Sequence, residues 1–596
     1  MVPFTTDNVF SPPPSFNFAT DVVDGWARKD PSLLALQWID DDVSKPLSFT
    51  YEHFSRQSCK AARLLLALGA KPGDRVMIIL NRVPAWWEIA TAVLRAGLVL
   101  CPCTTLATTK DIEYRLQTSG ASILIGNEES LRKVANLRSS CPDLRVVLQA
   151  SGDSIPGVPQ YSTEVERHSS EHLVGVRTRA DDPALIYFTS GTTGLPKMVV
   201  HTHVSYPLAH LLTGIHWLNL SAGKLAWTLA EQGWAKAAWS WFSTWNTGAT
   251  LFVQDSNKPF SPTSTLDVLH KFPITTFCAP PTAYRQLVTA QSQAHFATHR
   301  PRALQTCVGA GEPLNPGVIE AWKEMAGIEI RDGYGQTETI LVAGNCAGVQ
   351  TRVGSMGKAI PGIPLHVIDE DGGIADAGVE GDLAVLAVDE NGAQSAFIYK
   401  GYVSSKGELS RKSRPRRDAN GAVSGEWHLS GDRAYQDGDG YFWFVGRSDD
   451  VINSSGYRIG KGVSPSHALQ DSTQYVAYSQ LPWLTFVDAT GPFEVESTLK
   501  LHPAVVESAV VGVPDAARGE IVKAYVVLDP SFASRDHASL ARELQEHCKR
   551  EAAPYKYPRS IQFVAPHWLP KTTSGKIRRG EIRKWEKAAA ASSSKI

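Results

Sequence analysis

The chain has 596 residues, with 59 Lys plus Arg against 60 Asp plus Glu and a formal net charge of −1. That balance argues against a protein built around nucleic acid or an anionic membrane surface. A charged fraction of 20% and a hydrophobic fraction of 43% exclude global disorder, a coiled coil or a collagen-like chain, and leave a large globular protein of several unequal domains.

Residues 1–360 alternate short apolar runs with helical patterns. Val76–Leu80 reads as a buried strand, and Pro84 follows at the first turn of a helix carrying Trp86, Trp87 and Ile89. Ser122–Ile125, Val146–Leu148, Ala184–Phe188, Leu251–Val253, Thr275–Cys278 and Gln305–Val308 read as further strands. This spacing predicts crossover helices and mostly parallel sheets. From Leu365 to Val445 the texture changes: apolar runs are separated by Gly- and Asp-rich turns, which predicts antiparallel structure, a small barrel in form. Within it, Lys406 to Gly425 holds the basic run Arg411–Arg417 and reads as a solvated loop rather than a nucleic-acid patch. The end of the chain is α+β: strands at Val505–Val511, Ile521–Leu528 and Ile561–Val564 flank a helix with Leu540, Leu544 and Cys548 on one face. A domain boundary is expected near Gly446–Asp450.

Eight scattered cysteines are too few for a disulfide scaffold, and no CxxC pair or neighbouring histidine pair completes a zinc site. Reduced thiols in an intracellular protein are the expectation. The first thirty residues lack a basic start followed by an apolar run, so no signal peptide is expected. No stretch reaches the roughly 18 uncharged apolar residues of a membrane span.

The strongest local signal is Tyr187-Phe188-Thr189-Ser190-Gly191-Thr192-Thr193-Gly194-Leu195-Pro196-Lys197. A buried strand runs into a Ser/Thr/Gly turn and then a lysine. Glycines let backbone N–H groups approach an anion, hydroxyls add donors, and Lys197 supplies a point charge for a terminal phosphate. It is not the Walker-type loop, because Lys197 follows a proline and no hydroxyl residue follows it.

These residues resemble the adenylate-forming enzymes: acyl-CoA synthetases, adenylation domains and luciferase-like ligases. Further matches come in order. Gly309-Ala310-Gly311-Glu312-Pro313-Leu314 resembles the adenine-side loop, and Asp332-Gly333-Tyr334-Gly335-Gln336-Thr337-Glu338-Thr339 the YGxTE motif. Ser430-Gly431-Asp432 resembles the ribose-binding triplet. Gly446-Arg447-Ser448-Asp449-Asp450 resembles the hinge, with Ser455-Gly456-Tyr457-Arg458-Ile459 after it. Leu569 to Ile577 resembles the catalytic-lysine loop. The resemblance runs from about residue 45 to 587.

The resemblance implies an α/β fold: a large N-terminal domain (1–446) of mostly parallel α/β layers with a β-barrel subdomain at about 360–446, a hinge at 447–450, and a smaller, mobile α+β domain at 451–596. It implies ATP, Mg²⁺ and CoA as cofactors and a small carboxylic acid as substrate. In that reading Lys576 contacts the carboxylate and the α-phosphate, Thr337 the α-phosphate, and Glu338 holds Mg²⁺. Thr189, Ser190, Gly191, Thr192, Thr193, Gly194 and Lys197 cradle phosphates. Gly311, Glu312, Pro313, Asp332, Gly333, Tyr334, Gly335 and Gln336 surround the nucleotide. Asp432 accepts the ribose hydroxyls, and Arg447 and Arg458 bind ribose and phosphate. Asp449 is the pivot, Ser455, Gly456 and Tyr457 line the CoA tunnel, and Trp234, Gly309 and Gly335 line the acyl pocket.

Phe16-Asn17-Phe18-Ala19, Asp24-Gly25-Trp26-Ala27, Gly73-Asp74-Arg75-Val76, Asn81 to Trp87 and Gly233-Trp234-Ala235-Lys236 resemble the medium-chain acyl-CoA synthetase branch. Five tryptophans from Trp227 to Trp245, with Phe242, either line an apolar acyl pocket or pack the core. Medium-chain fatty acids and aromatic acids both fit the branch. A carrier-loading adenylation enzyme and an inactive nucleotide-binding homologue are the alternatives.

One stretch departs from the family pattern. Gly456-Tyr457-Arg458-Ile459-Gly460 is expected to continue directly into Pro492-Phe493-Glu494-Val495-Glu496, yet 31 residues, 461–491, intervene without helical or strand period. A translated in-frame intron and a genuine surface loop are the two readings. The final Ser594-Lys595-Ile596 is one conservative step from the Ser-Lys-Leu peroxisomal address, against a plain polar tail. Cytoplasmic or peroxisomal placement follows, with the import receptor as a partner in the second case.

Overall fold

The computed structural model describes residues 5–593 apart from 138, 174–175, 190–195, 257, 312–313, 405, 419, 449–451, 455–456, 460–491, 516–518, 552–556 and 572–576. The chain divides into two compact units: Met1–Pro364 with Leu386–Ser413, and Leu365–Val385 with Arg414–Ile596.

The first unit holds two sheets. One has eight strands, and Arg75–Ile79, Val99–Pro102, Ile123–Asn127, Val146–Ser151 and Pro183–Thr189 form its parallel part. Except in the half-buried edge strand Val146–Ser151, their apolar runs are buried on both faces, as strands covered by crossover helices must be. Lys197–Thr202 returns antiparallel to Pro183–Thr189, and Gly401–Val403 adds antiparallel to it. The second sheet has nine strands, in which Leu34–Ile39, Thr250–Gln254, Leu225–Thr228, Thr276–Ala279, Thr306–Ala310 and Ile330–Gly335 are parallel neighbours. The mostly parallel α/β layering predicted from the alternating apolar runs is thus observed.

Helices fill the interior of this unit. Pro84–Arg95 starts with its proline in the first turn, where the missing N–H costs nothing. Its Trp86 meets Trp241 of helix Ala235–Asn246 edge-on, with ring centroids 5.6 Å apart. Phe18 packs against Trp241, Phe242 and Trp245. Asp24 and Arg95 form a buried two-point ion pair, with N–O distances of 2.8 and 2.6 Å. Both of its charges are almost fully out of water, so removing one partner alone would leave the other uncompensated.

In the second unit, Leu365–Ile368 pairs antiparallel with Gly381–Val388, and Val423–Gln436 with Phe442–Arg447, in a five-stranded sheet. The basic run is not simply a loop. Ser413–Arg417 is a strand of this sheet, and the short strand Leu409–Ser410 before it pairs with Gly401–Val403 in the eight-stranded sheet of the first unit. The charges of Ser413–Arg417 are matched at a distance in sequence: Arg414 reaches Asp382 at 2.8 Å, and Arg416 lies over the Trp427 ring. The C-terminal part carries another five-stranded sheet, built around Val505–Asp515 and Gly519–Leu528. Strand alternation gives it two apolar faces. Val510, Val522, Ala524 and Val526 pack with Val495, Leu499, Leu540 and Leu544, while Val511, Val513, Tyr525 and Val527 pack with Leu569 and Ile582. All eight cysteines are free and buried. No helix among the described residues is long and apolar enough to cross a membrane.

Candidate active site

In open parallel sheets, ligands bind beyond the carboxyl ends of the strands. Register places the motif residues there. Ala279 is level with Gly309, Gly309 with Asp332, and Ala310 with Gly333. Gly311, Asp332, Gly333, Tyr334 and Gly335 therefore sit at or just past the ends of adjacent strands. Lys236 donates from Nζ to the Ala310 carbonyl at 2.7 Å, which draws the segment after Trp234 to the same edge. Trp234 is half-buried at the cap of helix Ala235–Asn246, with its N–H on Glu231 O.

After Gly335 the chain doubles back sharply. A Cβ on Gly335 would lie 2.6 Å from the Ile340 carbonyl oxygen, so the turn carrying Gln336, Thr337 and Glu338 closes only over a glycine. The turn is then held from two sides. His201 donates from Nε2 to the Thr337 carbonyl at 2.7 Å, because a carbonyl only accepts, and its Nδ1 faces Ser205 Oγ at 3.1 Å. Burial pushes the His201 imidazole down to about 4, so it stays neutral at pH 7. On the other side, Tyr399 N–H donates to the Glu338 carbonyl at 2.8 Å.

Glu338, Lys197 and Thr189 come together through strand pairing. Thr189 and Lys197 face each other across the hairpin, at the two ends of segment 190–196. Tyr402 pairs with Val199 on the next strand. Its hydroxyl donates to Glu338 Oε1 at 2.7 Å, and the Lys197 ammonium lies 5.2 Å from the centre of its ring. Burial, then the Glu338 charge, push the Tyr402 phenol well above its ordinary value, so it remains a neutral donor. The phenol adds no charge to the pair, and its hydrogen bond occupies one of the two carboxylate oxygens. A hard anionic oxygen held this way suits Mg²⁺.

The second unit positions Asp432 and Arg447 opposite each other on paired strands, with an N–O distance of 3.1 Å. Ser430 Oγ accepts from the Asp432 N–H and donates to the Leu383 carbonyl at 2.7 Å, so the serine of the triplet fixes the backbone under the acid. Farther on, Lys571 bridges Ile577, and Arg578 N–H donates to the Pro570 carbonyl at 2.8 Å. Arg579 binds both carboxylate oxygens of the buried Glu496, which also accepts from Val510 N–H at 2.7 Å. These bonds secure both ends of segment 572–576.

Ser190, Gly191, Thr192, Thr193, Gly194, Glu312, Pro313, Asp449, Ser455, Gly456, Lys576 and the insert 461–491 lie outside the described residues, as does the tail tripeptide. Tyr457 and Arg458 lie on strand Tyr457–Ile459, paired with Ile452–Ser454. Of the tryptophans, Trp227, Trp241 and Trp245, with Phe242, are core. Trp234 and Trp239 are half-buried, and Trp239 faces Trp217, whose indole N–H donates to the Asp332 carbonyl at 3.3 Å. Gly233 fits directly against the backbone of Thr104, where a Cβ would approach to 2.1 Å. Tyr402 and His201 escape motif reading, because only strand register brings them to Glu338 and Thr337.

Hydroxyl, lysine and carboxylate converging at strand ends of a two-sheet α/β unit are the layout of an enzyme that handles a polyphosphate. The family model for AMP-binding enzymes matches residues 23–387, and that for the AMP-binding enzyme C-terminal domain matches residues 494–576. Acyl-coenzyme A synthetase ACSM3, mitochondrial, of Mus musculus is 42% identical over 581 residues, 96% of this chain and 91% of that protein. Acyl-coenzyme A synthetase ACSM5, mitochondrial, of Homo sapiens is 40% identical over 580 residues, again 96% and 91%. The crystal structure of the anthranilate CoA ligase AuaEII in complex with anthranoyl-AMP superposes with a TM-score of 0.78 at 27% identity, over 98% of this chain and 99% of that one. The chain belongs to the AMP-binding enzyme family, among its acyl-coenzyme A synthetases.

Proposed function

We propose that this chain is an AMP-forming synthetase that activates a medium-chain fatty acid and transfers it to CoA. The observation that carries the reading is the convergence of Lys197, Tyr402 and Glu338 at the strand ends beside the Thr189–Lys197 turn. A carboxylate is a poor electrophile. Its oxygen attacks the α-phosphorus of ATP, the bond to the β-phosphate breaks, and pyrophosphate leaves. The CoA sulfur then attacks the acyl carbon, the C–S bond forms, and AMP departs with the former carboxylate oxygen. Both steps need negative charge offset on the phosphate oxygens.

Lys197 places its charge where pyrophosphate develops. Glu338 would hold Mg²⁺, which when bound neutralises phosphate oxygens. Thr337 contributes its hydroxyl to the α-phosphate, and the buried Asp432 accepts the two ribose hydroxyls. Lys576 neutralises the carboxylate and α-phosphate during adenylation. A hinge at 447–450, with Asp449 as pivot, lets the segment 451–596 exchange Lys576 for the Gly456 loop between the two steps. The insert 461–491 falls just before the start of the C-terminal family match at 494. Sequencing the transcript decides whether those codons are retained.

Pyrophosphate exchange with ATP over straight-chain acids and benzoates tests the substrate. Exchange peaking at six to ten carbons supports the reading; exchange confined to acetate or to long chains overturns it. The likeness to a ligase crystallised with anthranoyl-AMP favours an aromatic acid as the second reading, and a benzoate optimum selects it. AMP release that depends on CoA, without any carrier protein, separates both from a carrier-loading enzyme. The names of the curated relatives place them in mitochondria, whereas Ser594-Lys595-Ile596 supports a peroxisomal address. A fluorescent fusion that loses its punctate pattern on deletion of the tripeptide supports the latter, and an unchanged pattern overturns it.

A further inference from the structure

Away from the strand ends, helices Pro262–Lys271 and Ala290–Thr298 bring three metal-ligating side chains together. His295 lies in the second helix and His299 is its C-terminal cap, four residues on. The rings are parallel to within 3°, with centroids 4.1 Å apart. Asp267 Oδ1 lies 2.6 Å from His295 Nε2 and 3.9 Å from His299 Nε2. All three donor atoms lie within 4.8 Å of one another. The Nδ1 of His299 faces the His295 carbonyl at 3.3 Å. The Thr298 hydroxyl lies nearer that nitrogen, at 2.9 Å, and itself donates to the His295 carbonyl at 3.1 Å, so Nδ1 carries the ring proton toward these oxygens and Nε2 is left to bind a metal. An outer hydrogen bond of this kind fixes the tautomer that a metal ligand needs. His270, 5.5 Å from the His299 ring, turns its own Nδ1 to the Arg300 carbonyl at 2.8 Å.

Against the sequence expectation that no histidine pair completes a zinc site, we propose that Asp267, His295 and His299 form a binding site for a borderline divalent transition-metal ion such as Zn²⁺, with water completing its shell. Two imidazoles and one carboxylate select Zn²⁺ over Mg²⁺, which prefers oxygen alone. Donors on a tetrahedral Zn²⁺ with bonds of about 2.1 Å stand about 3.4 Å apart. The Asp267–His295 and Asp267–His299 spacings bracket that value, so an ion enters by opening the 2.6 Å contact and closing the 3.9 Å one. A simple His–Asp hydrogen bond accounts for His295 but not for a second ring turned on the same oxygen. The histidines are half-buried and Asp267 is exposed, so an ion has access from solvent. No thiol competes, since all eight cysteines are buried. The bound ion would tie one helix to the other and so link metal binding to stability.

The test uses the full chain, stripped with a chelator, dialysed into buffer containing Mg²⁺, and titrated with ZnCl₂ by calorimetry. One equivalent is expected at roughly micromolar affinity, with a rise of a few degrees in the thermal midpoint. Asp267→Asn should bind about tenfold more weakly, and His295→Ala/His299→Ala should lose both the equivalent and the thermal shift. His299→Gln alone, at the helix end, gives a milder second arm, with at least about tenfold weaker binding. Absence of a Zn²⁺ equivalent in the wild-type chain, or its retention in both histidine variants, would overturn the site.

Discussion

Glu338 of the first unit and Asp432 of the second, the two acids proposed to serve the nucleotide, are treated in opposite ways. Glu338 takes a hydrogen bond from a neutral phenol, Tyr402, which brings no charge of its own to the carboxylate. Asp432 is buried to 4% exposure and faces the guanidinium of Arg447 at 3.1 Å. The difference matches their proposed ligands. A cation needs a carboxylate whose charge is uncompensated, whereas a neutral ribose diol needs acceptor oxygens and no net charge. The position of each partner is set by strand register: Tyr402 by pairing with Val199, and Arg447 by pairing with Asp432 itself.

Substitutions at these partners break or sharpen that contrast. Glu338→Ala removes the cation's carboxylate, and pyrophosphate exchange should fall by about 10³-fold, on the order of 4 kcal/mol of transition-state stabilisation. The turn carrying Glu338 also has a proton-linked weakness. His201 and the neighbouring His203 are both pushed down to about 4 by burial. Unfolded imidazoles titrate near 6.5, so between about 6.5 and 4 the unfolded chain binds protons that the folded chain does not. Stability is therefore full above that window and lost as the pH falls through it, by at most about 3 kcal/mol per histidine. Urea midpoints measured from pH 7 down to 4.5 should decline, and His201→Gln should flatten the decline; an unaltered slope would remove His201 from this role.

Asp432→Asn keeps the shape but halves the acceptor character, and should raise the KM for ATP about 30-fold, or about 2 kcal/mol, with a smaller change in kcat. The mildest change, Tyr402→Phe, removes only the donor to Glu338. It should cost about tenfold in exchange and shift the Mg²⁺ concentration for half-maximal rate, which a purely structural role would leave in place. If Tyr402→Phe and Asp432→Asn altered the Mg²⁺ dependence alike, the contrast between the two acids would be wrong.

Much of the framework was legible because buried parallel strands write continuous apolar runs: Val76–Leu80 and Ala184–Phe188 fall within a residue of the observed strands. Pro84 marked its helix for the same local reason. The strand Ser413–Arg417 was not legible, because its arginines are matched by Asp382 and Trp427, far away in sequence. The tryptophan cluster divided for a similar reason. Trp241 and Trp245 are claimed by Phe18 and Tyr51, some two hundred residues earlier, and this leaves Trp234 and Trp239 half-buried. Glu338 was readable from its motif, whereas Tyr402 and His201 are set by the register of one antiparallel pairing and the path of one turn, which single-sequence spacing does not encode.

The two half-reactions, measured separately in Lys576→Ala, test the central claim most directly. The claim predicts that pyrophosphate exchange from acid and ATP is lost, while thioester formation from a supplied acyl-adenylate and CoA continues at close to the wild-type rate. Exchange at the wild-type rate in that variant would contradict it.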